Sequence, residues 1–306
     1  MKILSPDQTA AAWSFVNNYG RPLERAWLAF HFAQGSADEV SAELLRFQND
    51  DGGFGHALEP DVQLADSSVI ATTIGLQALR KTRAPASTPS VRRAIAYLLG
   101  QLDRDTLAWD LVPTNVDDAP HAPWWNLPDT PPIGFTANPG AEIVGHFHYW
   151  SSLVPADLLV RLTDAAMDRL RGVREAEMHD AFCYEAMRQT DAVPADVRAE
   201  LLERLRPVFI QNVATDRSQW GGYVTRPLQV ACAPDSPYRP GFATAVADQL
   251  DYLVETQQAN GAWPLHWSWG DNGGEAWERA KRDWQGVVIV NHLQVLHSFG
   301  RLERSV

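Results

Sequence analysis

One seven-residue frame occurs twice in the chain and sets its length scale. Gln48-Asn49-Asp50-Asp51-Gly52-Gly53-Phe54 and Gln257-Gln258-Ala259-Asn260-Gly261-Ala262-Trp263 both place Gly four residues after Gln and an aromatic six after it. Each follows a run with helical spacing, residues 42–47 and 249–254. From 48 to 257 is 209 residues, about 52 for each of four steps, a period found in stacked helical repeats. Weaker echoes lie between: residues 97–101 lead to Trp109, and residues 209–211 lead to Trp220-Gly221-Gly222-Tyr223. A Gln at a helix end can hydrogen-bond exposed backbone groups of the neighbouring turn. Gly lets the chain reverse, and the aromatic packs over the junction. The frame therefore reads as structural.

Between these turns the spacing is helical. Ile70, Ile74, Leu76 and Leu79 mark one face, Leu158, Leu159, Leu162, Ala166 and Leu170 a second, and Val288, Val290, Leu293, Leu296 and Phe299 a third. Ser67 and Ser68 are placed to cap the first. Strand-like alternation is almost absent. The pattern predicts an all-α fold of roughly six hairpins of about 50 residues each, a single domain over 1–306. Both termini carry apolar helices (26–32 and 287–299) without a polar capping repeat, which favours a solenoid closed on itself.

Composition removes several function classes. Asp and Glu number 38 against 26 Lys and Arg, a net charge of −12, which disfavours nucleic acid and anionic membrane as partners. Residues 1–7 hold no apolar run, so no signal peptide is expected and the expected location is cytoplasmic. No run of about 18 apolar residues exists, so no transmembrane segment is expected. Cys183 and Cys232 make no metal or disulfide framework.

The frame carries a resemblance. Tyr252-Leu253, then Gln257 and Gly261-Ala262-Trp263, resembles the QW repeat of triterpene cyclases, and Gln48 to Phe54 is similar to the same element in protein prenyltransferase β-subunits. The chain thus resembles the α/α-toroid superfamily of terpenoid cyclases and prenyltransferases, nearest to uncharacterised bacterial proteins with a block like Gly52 to Asp61. The resemblance implies one ring of paired helices around a central cavity, and it implies fold more strongly than reaction. The zinc site of prenyltransferases needs Asp and Cys two apart, whereas Asp180 and Cys183 are three apart. The Asp-Asp-x-x-Asp motif of class I synthases is not found. No metal or cofactor is therefore expected.

Class II cyclases protonate an alkene or epoxide with the third residue of Asp-x-Asp-Asp, and Asn115-Val116-Asp117-Asp118 is the nearest match. By that resemblance Asp117 is the proton donor, tuned by Asn115 and Asp118. Such an acid must be held neutral in a water-poor site. A solvated local turn is the plain alternative. His121, Trp124 and Trp125 follow, with Pro120 and Pro123 holding the segment stiff. Indole faces there suit a cation or a sugar equally, or they plug the fold. A second acidic cluster is Glu59 and Asp61, near His56 and followed by Asp66, which suits the N-terminus of the next helix. Tyr223, Trp267 and Trp269 complete the candidate binding residues. Trp267 and Trp269 alternate on an extended segment, which predicts one ring inward and one outward. His146 and His148 should diverge on a helix, and Cys183 reads as buried and inert.

Three readings follow. The first is an isoprenoid-handling enzyme of class II type acting on a small apolar substrate, with Asp117 as acid. The second is a carbohydrate-active enzyme, hydrolase or lyase, pairing Glu59 or Asp61 with Asp117 or Asp118 across a Trp-lined cleft. The third is a non-catalytic binding module. Cavity polarity discriminates the first two, and the sequence does not specify oligomeric state.

Overall fold

A computed structural model of the chain describes residues 1–128, 130, 133–173, 177–270 and 273–303. Twelve α-helices lie among the described residues: α1 Pro6–Tyr19, α2 Pro22–Phe32, α3 Ala37–Leu44, α4 Val69–Lys81, α5 Pro89–Gln101, α6 Ala137–Tyr149, α7 Ala156–Gly172, α8 Met178–Arg188, α9 Ala195–Asn212, α10 Pro227–Val230, α11 Arg239–Thr256 and α12 Gly274–Ser298. The strands described are two-residue ones, Leu102–Asp103 paired antiparallel with Ala108–Trp109. None of the helices is long and apolar enough to cross a membrane.

Local sequence explains the helix starts. Ser5 and Gln8 form a reciprocal capping box on α1, and Pro6 occupies its first turn. The Ser68 hydroxyl accepts from the Ala71 N–H at 3.1 Å and caps α4, one of the two caps expected. On α7 the expected face of Leu158, Leu159, Leu162, Ala166 and Leu170 is buried. On α4 the expected face is met in part: Leu76 and Leu79 are buried but Ile70 and Ile74 only half-buried, while Ala71, Thr72, Thr73, Gly75 and Ala78 are buried as well. A helix buried on most sides belongs to the interior of its unit.

The chain divides into two compact units, one joining residues 1–43 to 210–306 and the other spanning 44–209. In the 44–209 unit α6 packs on both α4 and α8, while α5 lies on α4 and α7 on α6. In the other, α12 packs on α1 and α2, and α10 on α11. Its two chain ends are bound together: the Leu4 N–H donates to the Arg301 carbonyl at 2.8 Å, and the Arg301 Nη1 donates to Asp251 at 2.5 Å.

The repeat is a single backbone design. Gln48 Nε2 donates to the Gly52 carbonyl (2.9 Å) and to the Ser90 carbonyl at the start of α5 (3.0 Å). Gln257 Nε2 donates to Gly261 (3.1 Å) and to Gln8 in α1 (2.9 Å). The aromatics of the weaker echoes take the same part as Trp263. The indole N–H of Trp109 donates to Leu98, that of Trp220 to Ala214 and that of Trp263 to Leu253, at 2.7–2.8 Å, with all three rings buried.

Candidate functional site

The two acidic segments singled out in the sequence lie side by side in the 44–209 unit. Residues 59–62 form a turn in which the Val62 N–H donates to the Glu59 carbonyl at 3.0 Å, with Pro60 in the second position that proline favours. The chain then runs antiparallel to residues 120–122. Gln63 N–H donates to Pro120 (3.0 Å), Ala122 N–H donates to Asp61 (2.8 Å), and Val62 pairs with His121. Prolines 120 and 123 keep the second segment extended, as the ladder requires. Glu59 and Asp61 are 6% and 3% exposed, so both are buried acids and not surface charges. Ahead of them His56 and Ala57 hold φ of 55° and 58°, and Asn49 Oδ1 meets His56 Nε2 at 2.8 Å. Two successive non-glycine residues in the left-handed region store strain that the surrounding bonds must hold.

The residues expected to form an alkene-protonating acid are arranged otherwise. The Asp117 side chain is 78% exposed, and its Oδ1 meets His121 Nε2 at 2.9 Å. Asn115 donates to Asp66 at 2.8 Å, so the expected support of Asp117 by Asn115 is corrected: Asn115 ties the 115–118 turn to the loop before α4. Asp118 is exposed as well. Exposure to water removes the dry setting that the donor role needs. His121 is nearly buried, its Nδ1 facing the Ala122 carbonyl at 3.0 Å.

Both adjacent tryptophans line one cleft, and Trp125 also plugs a core beneath it. Trp125 packs on the small core of Val62, Leu64, Val112 and Val116. Trp124 is 49% exposed and stands at a cleft of about 470 Å³. Trp109 and Leu127 share its wall with Asp110, Thr114, Asn126, Thr136 and Asn138. Leu111, Val112, Trp125 and Pro128 also line it, so the cleft is mainly apolar, with hydroxyl and amide groups and the Asp110 carboxylate set among its apolar side chains.

Asn138 connects the cleft wall to a buried polar cluster that the sequence reading missed. Gly145 lets α6 approach α8 closely, since a Cβ there would lie 3.0 Å from the Met187 Cα. The Cys183 thiol meets Asn138 Oδ1 at 3.6 Å, and the Asn138 N–H donates to Asp180. One turn on, Glu142 accepts from Gln77 of α4 at 3.1 Å and lies 3.6 Å from His146. Burial raises the Glu142 pKa to about 7 against the opposing pull of Gln77, Arg80 and Lys81. Burial, then the Arg80 charge, lowers His146 to about 3. Both groups are thus neutral between these values, and both His146 nitrogens are buried without a hydrogen bond. Burial also pushes the Cys183 thiol up, as expected of an inert cysteine. The available signal was a Glu and a His four apart inside the apolar run of residues 141–147.

The remaining candidates lie in the other unit. Tyr223 is largely exposed. Trp267 meets Trp284 edge-on at 5.4 Å and Trp269 meets Trp277 at 6.0 Å, so both rings rest on α12 and the expected inward–outward split is not realised. Among the described residues no three His, Cys, Asp or Glu side chains gather as they would around a metal ion. Compared with known proteins, the chain matches no family model and no curated protein.

Proposed function

We propose that this chain is an α/α-toroid enzyme that binds and cleaves carbohydrate, with Glu59, Asp61 and Asp117 as its acids and a tryptophan-lined cleft in the same 44–209 unit. The carrying observation is the half-exposed Trp124 at a cleft whose polar lining is mostly hydroxyl and amide. An indole face stacks on a sugar ring, and neutral donors and acceptors read its hydroxyls. The ladder between residues 61–63 and 120–122 sets the two acid-bearing segments together, which a paired-carboxylate mechanism requires.

The isoprenoid reading keeps one supporting observation, moved to another residue. Glu142 has the raised pKa and dry surroundings that an acid-initiated step demands. A thermal-shift screen against oligosaccharides and polyprenyl compounds separates the two. A bound ligand at 100 times its Kd adds about 2.7 kcal/mol, or a few degrees of midpoint. Oligosaccharides should raise the midpoint, and Trp124→Ala should weaken that ligand about tenfold. A rise with polyprenyl compounds alone would sink the carbohydrate reading and pass the acid role to Glu142.

A further inference from the structure

The cleft of the 44–209 unit has one formally charged residue among its described lining, Asp110. The backbone is held on both sides of it. Trp109 pairs with Leu102 and its indole N–H donates to Leu98 at 2.8 Å, while the Leu111 carbonyl accepts from Ile70 of α4 at 3.1 Å. The Asp110 side chain itself is exposed and makes no ion pair or hydrogen bond with any described residue. Three other acids of the unit are committed: Asp103 accepts from the Asp105 N–H at 2.8 Å, Asp66 accepts from Asn115 at 2.8 Å, and Asp117 meets His121 at 2.9 Å.

Other polar groups of the wall are uncommitted as well. Thr114 and Asn126 make no side-chain hydrogen bond with a described residue, and Thr136, at the N-cap of α6, makes no cap bond. The positive end of α6 is met from within the fold, since the Asn138 N–H donates to Asp180, so it does not call for an anionic ligand. The aromatic part of the wall is anchored. Trp125 packs on Val62, Leu64, Val112 and Val116, and its backbone N–H donates to the Ala122 carbonyl at 2.9 Å. Beside it Trp124 stays half exposed. Indole faces attract cations, as does a carboxylate without a partner, so this wall favours positive charge set among hydroxyl groups.

On the carbohydrate reading of this cleft, on which the step rests, we propose that the cleft selects an amino sugar, its ammonium against Asp110 and its ring on Trp124. A neutral sugar hydroxyl can also donate to Asp110. Only an ammonium adds opposite charge to that bond, and only it gains from the indole faces.

The test is calorimetric titration of the full chain with three oligosaccharides of equal length: the glucosamine tetramer, its N-acetylated form and cellotetraose. It is run at about pH 6, below the range of an α-amino group, so that the ammonium is charged. The glucosamine tetramer should bind about tenfold more tightly than either neutral oligomer. The net charge of −12 attracts any cation, so Asp110→Asn is the deciding variant. The Asp110 side chain holds nothing described in place, so this variant should melt as the parent does and lose the preference for glucosamine. Equal binding of cellotetraose and the glucosamine tetramer overturns the amino-sugar step and leaves the carbohydrate reading standing. So does tighter binding of the N-acetylated form, or a preference that survives in Asp110→Asn. Binding of none of the three overturns both.

Discussion

The turns at 48–54 and 257–263 have the same backbone and different surroundings. In each the Gly amide donates back three residues, Gly52 to Asn49 and Gly261 to Gln258, at 3.0 and 2.9 Å. In each an Asp or Asn side chain accepts from the N–H two residues on, Asp51 from Gly53 and Asn260 from Ala262. Both glycines sit at positive φ, 94° and 88°. Beyond that the first turn holds more. Asn49 reaches Ala65, Ser67 and His56, and Asp51 accepts from the Ser67 hydroxyl, so this turn anchors the loop that carries Glu59 and Asp61. The second turn leads into an extended segment lying along α12 through Trp263–His292, Trp267–Trp284 and Trp269–Trp277. The lesson is that the shared positions build the turn, and the unshared ones decide what it presents.

The largest test of that equivalence is steric. A Cβ on Gly261 would lie 2.2 Å from the backbone of Ala11, and one on Gly52 would lie 2.6 Å from the Arg93 carbonyl. Backbone cannot swing aside, so Gly261→Ala should cost about 3 kcal/mol or more and Gly52→Ala nearly as much, measured by urea unfolding. A harmless Gly52→Ala would end the claim that the turns are alike.

A second, smaller effect separates the units by what they bury. The folded pKa of Glu142, about 7, lies above its ordinary 4.5, so its stabilising contribution is full below pH 4.5 and lost as pH rises through 7. His146, held near 3, works in the opposite sense: its contribution is present above pH 6.5 and lost as pH falls toward 3. Between about pH 4.5 and 6.5 the two slopes oppose each other. Glu142→Gln removes one of them. Relative to the parent, this variant should lose about 2 kcal/mol between pH 7.5 and pH 5, by urea unfolding at each pH. An unchanged difference across that range would place Glu142 in water.

The smallest effect concerns the glutamines. Gln48→Ala and Gln257→Ala each strip two carbonyls of their donor and should cost about 1–2 kcal/mol apiece. Gln48 also accepts from Arg93 at 2.7 Å, a bond with no counterpart at Gln257 among the described contacts. If the two costs were equal, that extra bond would contribute nothing.

How far the sequence was legible depends on distance along the chain. The capping Ser68, the buried face of α7 and the glycine-bearing turns were readable because the groups involved lie within a few residues of each other. Asp117 was not, since the motif names a carboxylate and says nothing of the water around it. That Trp125 would pack on Val62, Leu64, Val112 and Val116 as well as line the cleft beside Trp124 was not readable, because neighbouring indoles look alike in sequence.

By itself the sequence determined the helical class and the recurring turn, because hydrogen bonds of i to i+4 range and a glycine at positive φ are local requirements. Only the tertiary structure decided that Ala122 would meet Asp61, that Asn115 would serve Asp66, and that Glu142 would find Gln77 across 65 residues of chain. The physical reason is that burial and neighbouring charge set the chemistry of an acid, and both are supplied by residues remote in sequence.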